Sequence, residues 1–501
     1  MKLSELFGRA GLKYPAHLGD ENITGIVTDS RKVSEGCLFL CIKGLHSDGH
    51  DHIDSAIRSG ARIIVAERVR DACVGGAAAI LLHENTRRTA ALLYNAWFGD
   101  PCAHLRIIGV TGTNGKTSTC FFLRELFEAA GFRCGLLGTV TCCSAEGTPL
   151  ACLEGRGSSG MTTPDPELLY EMLDQMVKDR VDYVFMEVSS HALALSKVDA
   201  IPFDTVLFTN LTQDHLDFHE TMEDYFETKR RLLSLSRRAV VNRDDPYGER
   251  LAAEESLPIV TCSAREGDYL ACEIESLGMD GSSFRMRTPK GEIPLLLRVP
   301  GSFSVMNALM AGAVALEYGI PPCVVREVFA RLRGVPGRME RVETGEKFSV
   351  LIDYAHTPDA LEKLLRAVRD MRRSGERILL LFGCGGERDR SKRKEMARIS
   401  SRLADFVMIT SDNSRGEDPE QIFADILRGV DKEKEYLLIR SRKEAIEWAV
   451  KNARPGDWIL LAGKGHETYE IDAEGIHPFD ERLIVKNALR ERKESSPSDI
   501  L

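Results

Sequence analysis

The segment LRIIGVTGTNGKTSTCFFLRELFEAAG (105–131) places an apolar strand, a glycine-rich loop and a helical pattern in direct succession. In such a turn, backbone N–H groups surround phosphate groups at a helix N-terminus. Lys116 would reach the terminal phosphates of a nucleotide, and Thr117 would bind Mg²⁺. The strict phosphate-loop pattern has glycine where this chain has Val110, so a glycine-rich turn that binds nothing is the alternative. The segment predicts a parallel α/β sheet with a nucleotide site at its edge.

Apolar runs alternate with helical patterns along most of the 501 residues, which predicts α/β architecture with parallel sheets. At ~150 residues per domain, this length corresponds to about three domains. We expect a small N-terminal α/β domain in residues 1–90, and a central P-loop ATPase-like parallel-sheet domain in residues 91–335. We expect a C-terminal Rossmann-like domain in residues 336–501.

Composition narrows the function classes. The net charge of −10 argues against bulk nucleic-acid binding. No apolar run approaches the ~20 residues of a membrane helix, and the start of the chain lacks the apolar core of a signal peptide. The 13 cysteines are scattered without paired CxxC clusters, which is typical of reduced thiols in a cytosolic protein.

Three further features of the central region carry possible chemistry. Glu187 closes an apolar run in EVSSH, where a carboxylate at a strand end can bind Mg²⁺. The segment DHLDFH (214–219) holds two Asp and two His, which favours a hard cation shared with a nucleotide over zinc. Lys229 lies in the helical pattern YFETKRRLL. Taken alone, Glu187 is more often a solvated carboxylate, and Lys229 is more often a surface lysine.

In the C-terminal region, polar and glycine-rich motifs follow four apolar runs. The motifs are DYAHTPD, GCGGERDR, DNSRGED and GKGHET. Because open α/β sheets bind ligands at the carboxyl ends of their strands, we expect these loops to converge on one site. Arg388, Asp412, Asn413 and Arg415 lie in them, and together they suit an amino acid with carboxylate and ammonium groups.

TGTNGKT, EVSSH, TQDHLDFH, GRME, DYAHTPD and GKGHE occur in this order, and as a set they resemble the Mur ligase family over essentially the whole chain. TDSR, GLHSDGH, TTPD and DNSR resemble its tripeptide-forming branch. The resemblance implies an ATP- and Mg²⁺-dependent ligase of peptidoglycan precursor synthesis. It would join meso-2,6-diaminopimelate to the D-glutamyl γ-carboxylate of UDP-N-acetylmuramoyl-L-alanyl-D-glutamate through an acyl phosphate. We also expect a cytoplasmic monomer that neither binds nucleic acid nor inserts into a membrane.

The resemblance assigns roles to individual positions. Catalytic roles fall to Lys116, Glu187, His215 and Lys229, and metal binding to Thr117, Glu187, His215 and a carbamylated Lys229. Carbamylation needs a neutral amine, so Lys229 should be partly desolvated. ATP contacts fall to Thr111, Gly112, Thr113, Asn114, Gly115, Lys116, Thr117, Asn307, Arg338, Asp353 and His356. UDP-substrate contacts fall to Thr28, Ser30, Leu45, His46, Ser47, Thr162, Thr163, Ser189 and Lys197. Diamino-acid contacts fall to Arg388, Asp412, Asn413, Ser414, Arg415, Gly463 and Glu467.

Two departures from the family pattern stand in the sequence. Ser414 replaces the proline of the usual DNPR motif, and Leu195 and Lys197 stand where Gln and Arg are frequent. The nearest alternative function is an L-lysine-adding Mur ligase, although lysine lacks the second carboxylate that Arg415 would bind. Folylpolyglutamate synthetase, a P-loop nucleotide hydrolase and a catalytically silent nucleotide-binding scaffold are more distant alternatives.

Overall fold

The computed structural model of the protein describes residues 1–14, 20–44, 47–69, 79–153, 162–214, 218–332 and 334–495. Its first sheet has four parallel strands in sequential order. The strands are β1 (Ile26–Val27), β2 (Leu38–Leu40), β3 (Ile63–Ala66) and β4 (Ala79–Leu82), and the helices are α1 (Leu3–Arg9), α2 (Ile53–Arg58) and α3 (Thr86–Trp97). Apolar residues of β2 and β3 are buried on both faces, as expected for a covered parallel sheet.

The central sheet has ten strands in the order β14-β13-β12-β11-β10-β9-β5-β8-β6-β7. The strands are β5 (Arg106–Thr111), β6 (Cys134–Leu137), β7 (Cys142–Cys143), β8 (Tyr183–Glu187), β9 (Thr205–Phe208), β10 (Ala239–Asn242), β11 (Ile259–Ser263), β12 (Tyr269–Ser276), β13 (Ser282–Thr288) and β14 (Gly291–Leu297). The helices are α4 (Lys116–Ala129), α5 (Pro166–Lys178), α6 (Ser190–Ala194), α7 (Met222–Ser234), α8 (Pro246–Glu254), α9 (Ser302–Glu317) and α10 (Pro322–Arg331).

Seven neighbouring strands of this sheet pair in parallel, in the spatial order β12-β11-β10-β9-β5-β8-β6. At one edge β13 and β14 are antiparallel, and at the other edge β7 pairs antiparallel with β6. The strand before the glycine-rich loop, β5, is flanked by β8 and β9. The carboxyl ends of all three strands therefore face the same edge of the sheet. Two apolar cores cover the two faces, one including the buried face of α5 and the other packed between α4, α9 and α10.

The C-terminal sheet has six strands in the order β15-β16-β20-β17-β18-β19, parallel except for β15. The strands are β15 (Glu340–Val342), β16 (Ser349–Asp353), β17 (Ile378–Phe382), β18 (Phe406–Ile409), β19 (Tyr436–Leu438) and β20 (Trp458–Ala462), and β21 (Tyr469–Asp472) and β22 (Gly475–Pro478) form a separate hairpin. The helices are α11 (Pro358–Met371), α12 (Ser391–Leu403), α13 (Pro419–Leu427), α14 (Arg442–Asn452) and α15 (Glu481–Ser495).

The α/β class and the parallel-sheet architecture predicted from the sequence are confirmed. No helix in the described ranges has the length and apolar character needed to span a membrane. All 12 cysteines that the structure describes are free thiols, most of them buried.

Candidate active site

The glycine-rich loop lies between β5 and α4, as its sequence predicts. Gly115 has a φ of +87°, and a Cβ there would lie 2.5 Å from Oδ1 of Asn307 on α9, so only glycine fits. Lys116 begins the helix, and its Nζ donates to the carbonyls of Gly112 and Thr113, both at 2.9 Å. Burial lowers the pKa of this amine. The lysine therefore lies folded over its own loop, within reach of any phosphate held there.

Residues predicted to contact ATP come together from three separated segments. Asn307 packs on the loop, and Nη2 of Arg338 donates to Oγ1 of Thr117 at 3.3 Å. The guanidinium of Arg338 also lies 4.8 Å above the ring of Tyr354, in a cation–π contact. A basic side chain from the segment before β15 thus reaches the first turn of the phosphate-loop helix.

Two further predicted ATP contacts take different positions. Asp353 lies at the end of β16, where its carboxylate accepts from the backbone N–H of Met339 at 2.7 Å and of Ala355 at 2.8 Å. It therefore fixes the loop that follows β16, and burial raises its pKa. His356 is exposed and lines a large cavity, with its Nδ1 2.8 Å from the carbonyl of Tyr354.

Glu187 ends β8 and is only 2% exposed. Its carboxylate accepts from the backbone N–H of Thr139 at 2.9 Å and from the hydroxyl of Thr139 at 3.1 Å. The Thr139 hydroxyl lies 3.0 Å from that of Thr162. Because a buried carboxylate needs compensating donors or a cation, this position suits a divalent metal at the strand edge.

Lys229 is 1% exposed, although its sequence context alone resembles a surface helix. Its Nζ donates to the carbonyl of Gly112 at 3.0 Å and lies 4.8 Å above the ring of Tyr225. Burial and the nearby charge of Lys116 hold the pKa of Lys229 well below its usual range. The predicted desolvation of this amine is thus present, directly beneath the phosphate loop.

The predicted metal ligands are Thr117, Glu187, His215 and carbamylated Lys229. His215 lies outside the described residues, and among those described no group of three or more His, Cys, Asp or Glu could hold a metal. The hydroxyl of Thr117 and the carboxylate of Glu187 are hard oxygen donors. Such donors, with phosphate oxygens, fit Mg²⁺.

The predicted UDP-substrate residues of the central region mostly support local structure. Oγ1 of Thr163 donates to the carbonyl of Glu187 at 3.0 Å, and Ser189 caps α6 through the N–H of Ala192. Lys197 is 7% exposed and pairs with Asp165 at 2.8 Å. Lys197 therefore anchors the start of α5 and is turned away from solvent.

In the N-terminal sheet, Thr28 and Ser30 follow β1, and Thr28 is exposed while Ser30 is half-buried. Ser47 is exposed, and its Oγ lies 3.3 Å from Nε2 of His52. Leu45 and His46, also predicted to contact the UDP end, lie outside the described residues.

The loops after β18 and β20 form a polar cluster around Asn413. Its Nδ2 donates to Glu467 at 2.8 Å, and its Oδ1 accepts from Nζ of Lys464 at 2.8 Å. Lys464 is fully buried, 4.0 Å from Asp412, and lowers the pKa of that carboxyl. At Gly463, a Cβ would lie 2.8 Å from Oδ2 of Asp412. Nζ of Lys464 also lies 3.8 Å from Glu467, so the two carboxylates flank the Asn413 amide and one buried ammonium group. Both carboxylates also line the cavity, where they can accept from a further ammonium group.

The two predicted carboxylate-binding arginines lie beside this cluster. Arg388 is exposed and lines the same cavity. Nη1 of Arg415 donates to the carbonyls of Gly386 at 3.0 Å and Asn413 at 3.2 Å, and its backbone φ is +52°. Ser414 is 7% exposed, so it contributes to the frame of the loop rather than to the cavity wall.

A cavity of about 1310 Å³ lies between the central and C-terminal sheets. Its lining includes Thr139 and Asp214 from one side, and Arg388, Arg415 and Glu467 from the other. Asp359, also in the lining, accepts from Nδ2 of Asn114 in the phosphate loop at 2.9 Å. Thr139, which bonds to Glu187, and Asp359, which bonds to the phosphate loop, therefore line the same cavity as Asp412 and Glu467.

Four residues of this site received no individual role from the sequence: Thr139, Asp214, Asp359 and Lys464. Three of them belong to motifs that had been singled out, TQDHLDFH, DYAHTPD and GKGHE. Thr139 had no such signal, because it follows a short apolar run without a motif.

A phosphate loop that contacts the wall of a polar cavity between two α/β units is the arrangement of an ATP-dependent ligase. Residues 22–92 match "Mur ligase family, catalytic domain", residues 110–315 "Mur ligase middle domain", and residues 337–465 "Mur ligase, glutamate ligase domain". The chain belongs to the Mur ligase family.

Relatives match nearly the full length. The UDP-N-acetylmuramoyl-L-alanyl-D-glutamate–2,6-diaminopimelate ligase of Syntrophomonas wolfei is 40% identical over 98% of this chain and 99% of its own. The protein of the same name from Geobacillus kaustophilus is 39% identical over 98% and 100%. A solved structure of a ligase with this name is 28% identical, with a TM-score of 0.68 over 98% of this chain and 99% of its own.

Proposed function

We propose that this protein joins meso-2,6-diaminopimelate to the D-glutamyl γ-carboxylate of UDP-N-acetylmuramoyl-L-alanyl-D-glutamate, and converts ATP to ADP and phosphate. The observation that carries this proposal is the cavity beside the phosphate loop, whose lining contains two carboxylates and two guanidinium groups, those of Asp412, Glu467, Arg388 and Arg415. The names of relatives that are 39–40% identical over 98% of the chain support the choice of substrates.

The part of the cavity formed by the loops after β17, β18 and β20, here called the acceptor pocket, has charges complementary to those of a diamino dicarboxylic acid. Asp412 and Glu467 flank the Asn413 amide and would bind an ammonium group. Arg388 and Arg415 would each bind a carboxylate, because a guanidinium pairs with a carboxylate through two parallel hydrogen bonds. Lysine offers one carboxylate fewer, which favours diaminopimelate as the acceptor.

In the proposed reaction, the γ-carboxylate takes the γ-phosphoryl group of ATP and releases ADP. The amine of diaminopimelate then displaces phosphate from the acyl phosphate and forms the amide. Lys116 would neutralise charge on the phosphates, and Arg338 would reach the same phosphates from the other side of Thr117. Mg²⁺ would supply further charge neutralisation when held by Thr117, Glu187, His215 and a carbamylated Lys229. The chamber would keep water away from the acyl phosphate.

We further propose a division of labour among residues 1–90, 91–335 and 336–501. The first would bind the UDP end through Thr28, Ser30 and the segment 45–47. The second would bind ATP and, through Thr162, Thr163 and Ser189, the muramoyl peptide. The third would bind the diamino acid. We propose that the protein acts as a monomer, since one chain carries all of these residues, and that the reaction takes place in the cytoplasm.

The test is ADP release by the purified protein with ATP, Mg²⁺ and UDP-muramoyl-dipeptide, against a panel of amino acids. We expect turnover only when both the dipeptide substrate and meso-diaminopimelate are present. Turnover with L-lysine instead would assign the protein to the lysine-adding branch. Equal ATP turnover without the dipeptide would identify a nucleotide hydrolase and overturn the proposal.

A further inference from the structure

The loops after β17 and β18 touch through their backbones. The N–H of Gly386 donates to the carbonyl of Asn413 at 2.9 Å, and a Cβ at Gly386 would lie 1.9 Å from the carbonyl oxygen of Ser414. No side chain fits between the two loops at this point. The relative position of the loops is therefore fixed by direct contact, and each loop carries one of the two carboxylate-binding arginines.

A fully buried guanidinium lies behind this contact. Arg393, on the first turn of α12, is 0% exposed. Its Nη1 and Nη2 each donate to one carboxylate oxygen of Glu417, both at 2.8 Å. Nη2 also donates to the carbonyl of Gly385 at 3.2 Å, and Nη1 to Asp425 at 3.0 Å. One side chain thus bonds to the loop after β17 and to the loop after β18.

Glu417 completes the connection from the opposite loop. Besides its fork with Arg393, its Oε2 accepts from the backbone N–H of Glu387 at 2.9 Å. Glu387 directly precedes Arg388, and Glu417 lies two residues after Arg415. The hydrogen bonds from Arg393 hold the pKa of Glu417 at about 2, so this carboxylate stays charged at neutral pH.

We propose that Glu417, held by Arg393, is a positioning residue that sets the spacing between Arg388 and Arg415, and with it the affinity for the acceptor amino acid. This inference rests on the proposed function, because it assumes that both arginines bind the acceptor's carboxylates. Two-point carboxylate binding depends on such placement, since small displacements of a binding group weaken productive geometry strongly.

Glu417→Gln in the full-length protein tests the inference, because it keeps the size of the side chain and removes its charge. The matched control is Asp457→Asn. Asp457 forms the same kind of fork with Arg377, at 2.9 and 2.6 Å, but precedes β20 and lies at the opposite end of the sheet. Both variants lose one bidentate ion pair of the C-terminal sheet. Glu417→Gln also loses the exposed pair of Glu417 with Arg390 at 2.9 Å, and only this variant loses the connection between the loops after β17 and β18.

We expect Glu417→Gln to raise the KM for meso-diaminopimelate about 10- to 100-fold. Its KM values for ATP and the UDP-dipeptide should stay within about twofold of the wild-type values. In Asp457→Asn, the KM values for all three substrates should stay within the same range. An unchanged KM for diaminopimelate in a folded Glu417→Gln protein, or equal increases in all three constants, overturns the inference. If Glu417→Gln does not fold, Arg393→Lys tests the same inference, because lysine keeps the positive charge but cannot form the bidentate ion pair with Glu417.

Hydrogen exchange of the substrate-free protein separates this inference from the proposed function. The backbone amides of residues 385–388 and 413–417 should exchange faster in Glu417→Gln than in wild type. In Asp457→Asn their exchange rates should equal those of wild type. Equal exchange in Glu417→Gln and wild type overturns the positioning role whatever the acceptor is. If these amides exchange faster in Glu417→Gln but the wild-type protein does not use diaminopimelate, the connection between the two loops is supported and only the proposed substrate is wrong.

Discussion

The side-chain amide of Asn114 donates to the carboxylate of Asp359 at 2.9 Å, joining the phosphate loop to the first turn of α11. The same carboxylate oxygen accepts from the hydroxyl of Thr212 at 3.0 Å and from Lys363 at 2.9 Å. Residues 245 positions apart in the sequence thus meet at the wall of the chamber. Asp359 connects the nucleotide side of the site with the acceptor side.

Asp359→Asn should raise the KM for ATP by about tenfold, because it loses one charged acceptor shared by two central-domain donors, worth ~1 kcal/mol or more. The measurement is steady-state ADP release at varied ATP. Asp370→Asn, exposed on the same helix, is the control and should match wild type. A wild-type KM for ATP in Asp359→Asn would show that the contact has no part in nucleotide binding.

Lys116→Ala should lower kcat by about 100-fold or more while leaving the fold intact. Its ammonium group lies over the carbonyls of its own loop, so its removal takes away positive charge from the phosphate site and leaves the apolar cores untouched. Turnover and thermal unfolding are measured side by side. Near-normal turnover in a folded variant would remove Lys116 from the mechanism.

The sequence predicted strands and polar loops well, for a local reason. In the C-terminal sheet, residues of the site lie in the loops that directly follow buried apolar strands. Asp412, for example, lies in the loop after β18. Because the strands are parallel, their carboxyl ends lie at one edge of the sheet, and the motifs that follow them form most of the pocket.

Contacts between distant elements could not be predicted in this way. Lys229 lies in a helical pattern with charged neighbours, yet the packing of α7 beneath the phosphate loop buries it completely. Lys464 stands in a quoted motif, but only the fold shows that it bonds to Asn413, 51 residues away. Such partnerships depend on tertiary geometry, which periodicity and composition do not encode.

Lys229 should carry a carbamate. The amine is buried beside Lys116 and is neutral more readily than a surface lysine, which allows it to react with CO₂. Incubation with ¹³C-bicarbonate should give a carbamate signal in the NMR spectrum that Lys229→Ala lacks. The alanine variant should be nearly inactive and partly rescued by a small carboxylic acid, but not by bicarbonate. An active Lys229→Ala protein would contradict this role.

Acid should destabilise the protein through His466. Burial and the charges of Arg338 and Arg482 lower the pKa of this imidazole to about 4, below its usual ~6.5. Between these two values the unfolded chain binds a proton that the folded chain does not, so stability falls as pH falls from ~6.5 towards ~4. His466→Gln removes this dependence. Relative to wild type, the variant should gain about 1 kcal/mol in unfolding free energy between pH 7.5 and 5.5. A constant difference across that range would show that His466 titrates normally.

Arg415 should decide between diaminopimelate and lysine. These amino acids differ by one carboxylate, and Arg415 is held at the cavity with its guanidinium anchored on the carbonyls of Gly386 and Asn413. With lysine bound, that guanidinium would lack its anionic partner, and polar sites reject ligands that leave their groups unpaired.

Wild type should therefore favour meso-diaminopimelate in kcat/KM by about 100-fold or more. Arg415→Ala should lose most of this preference, through a fall in the value for diaminopimelate and little change in that for lysine. Arg440→Ala, an exposed arginine that pairs with Glu420 outside the cavity lining, is the control and should keep the wild-type ratio. Similar kcat/KM values for the two amino acids in wild type would mean that Arg415 does not bind the second carboxylate.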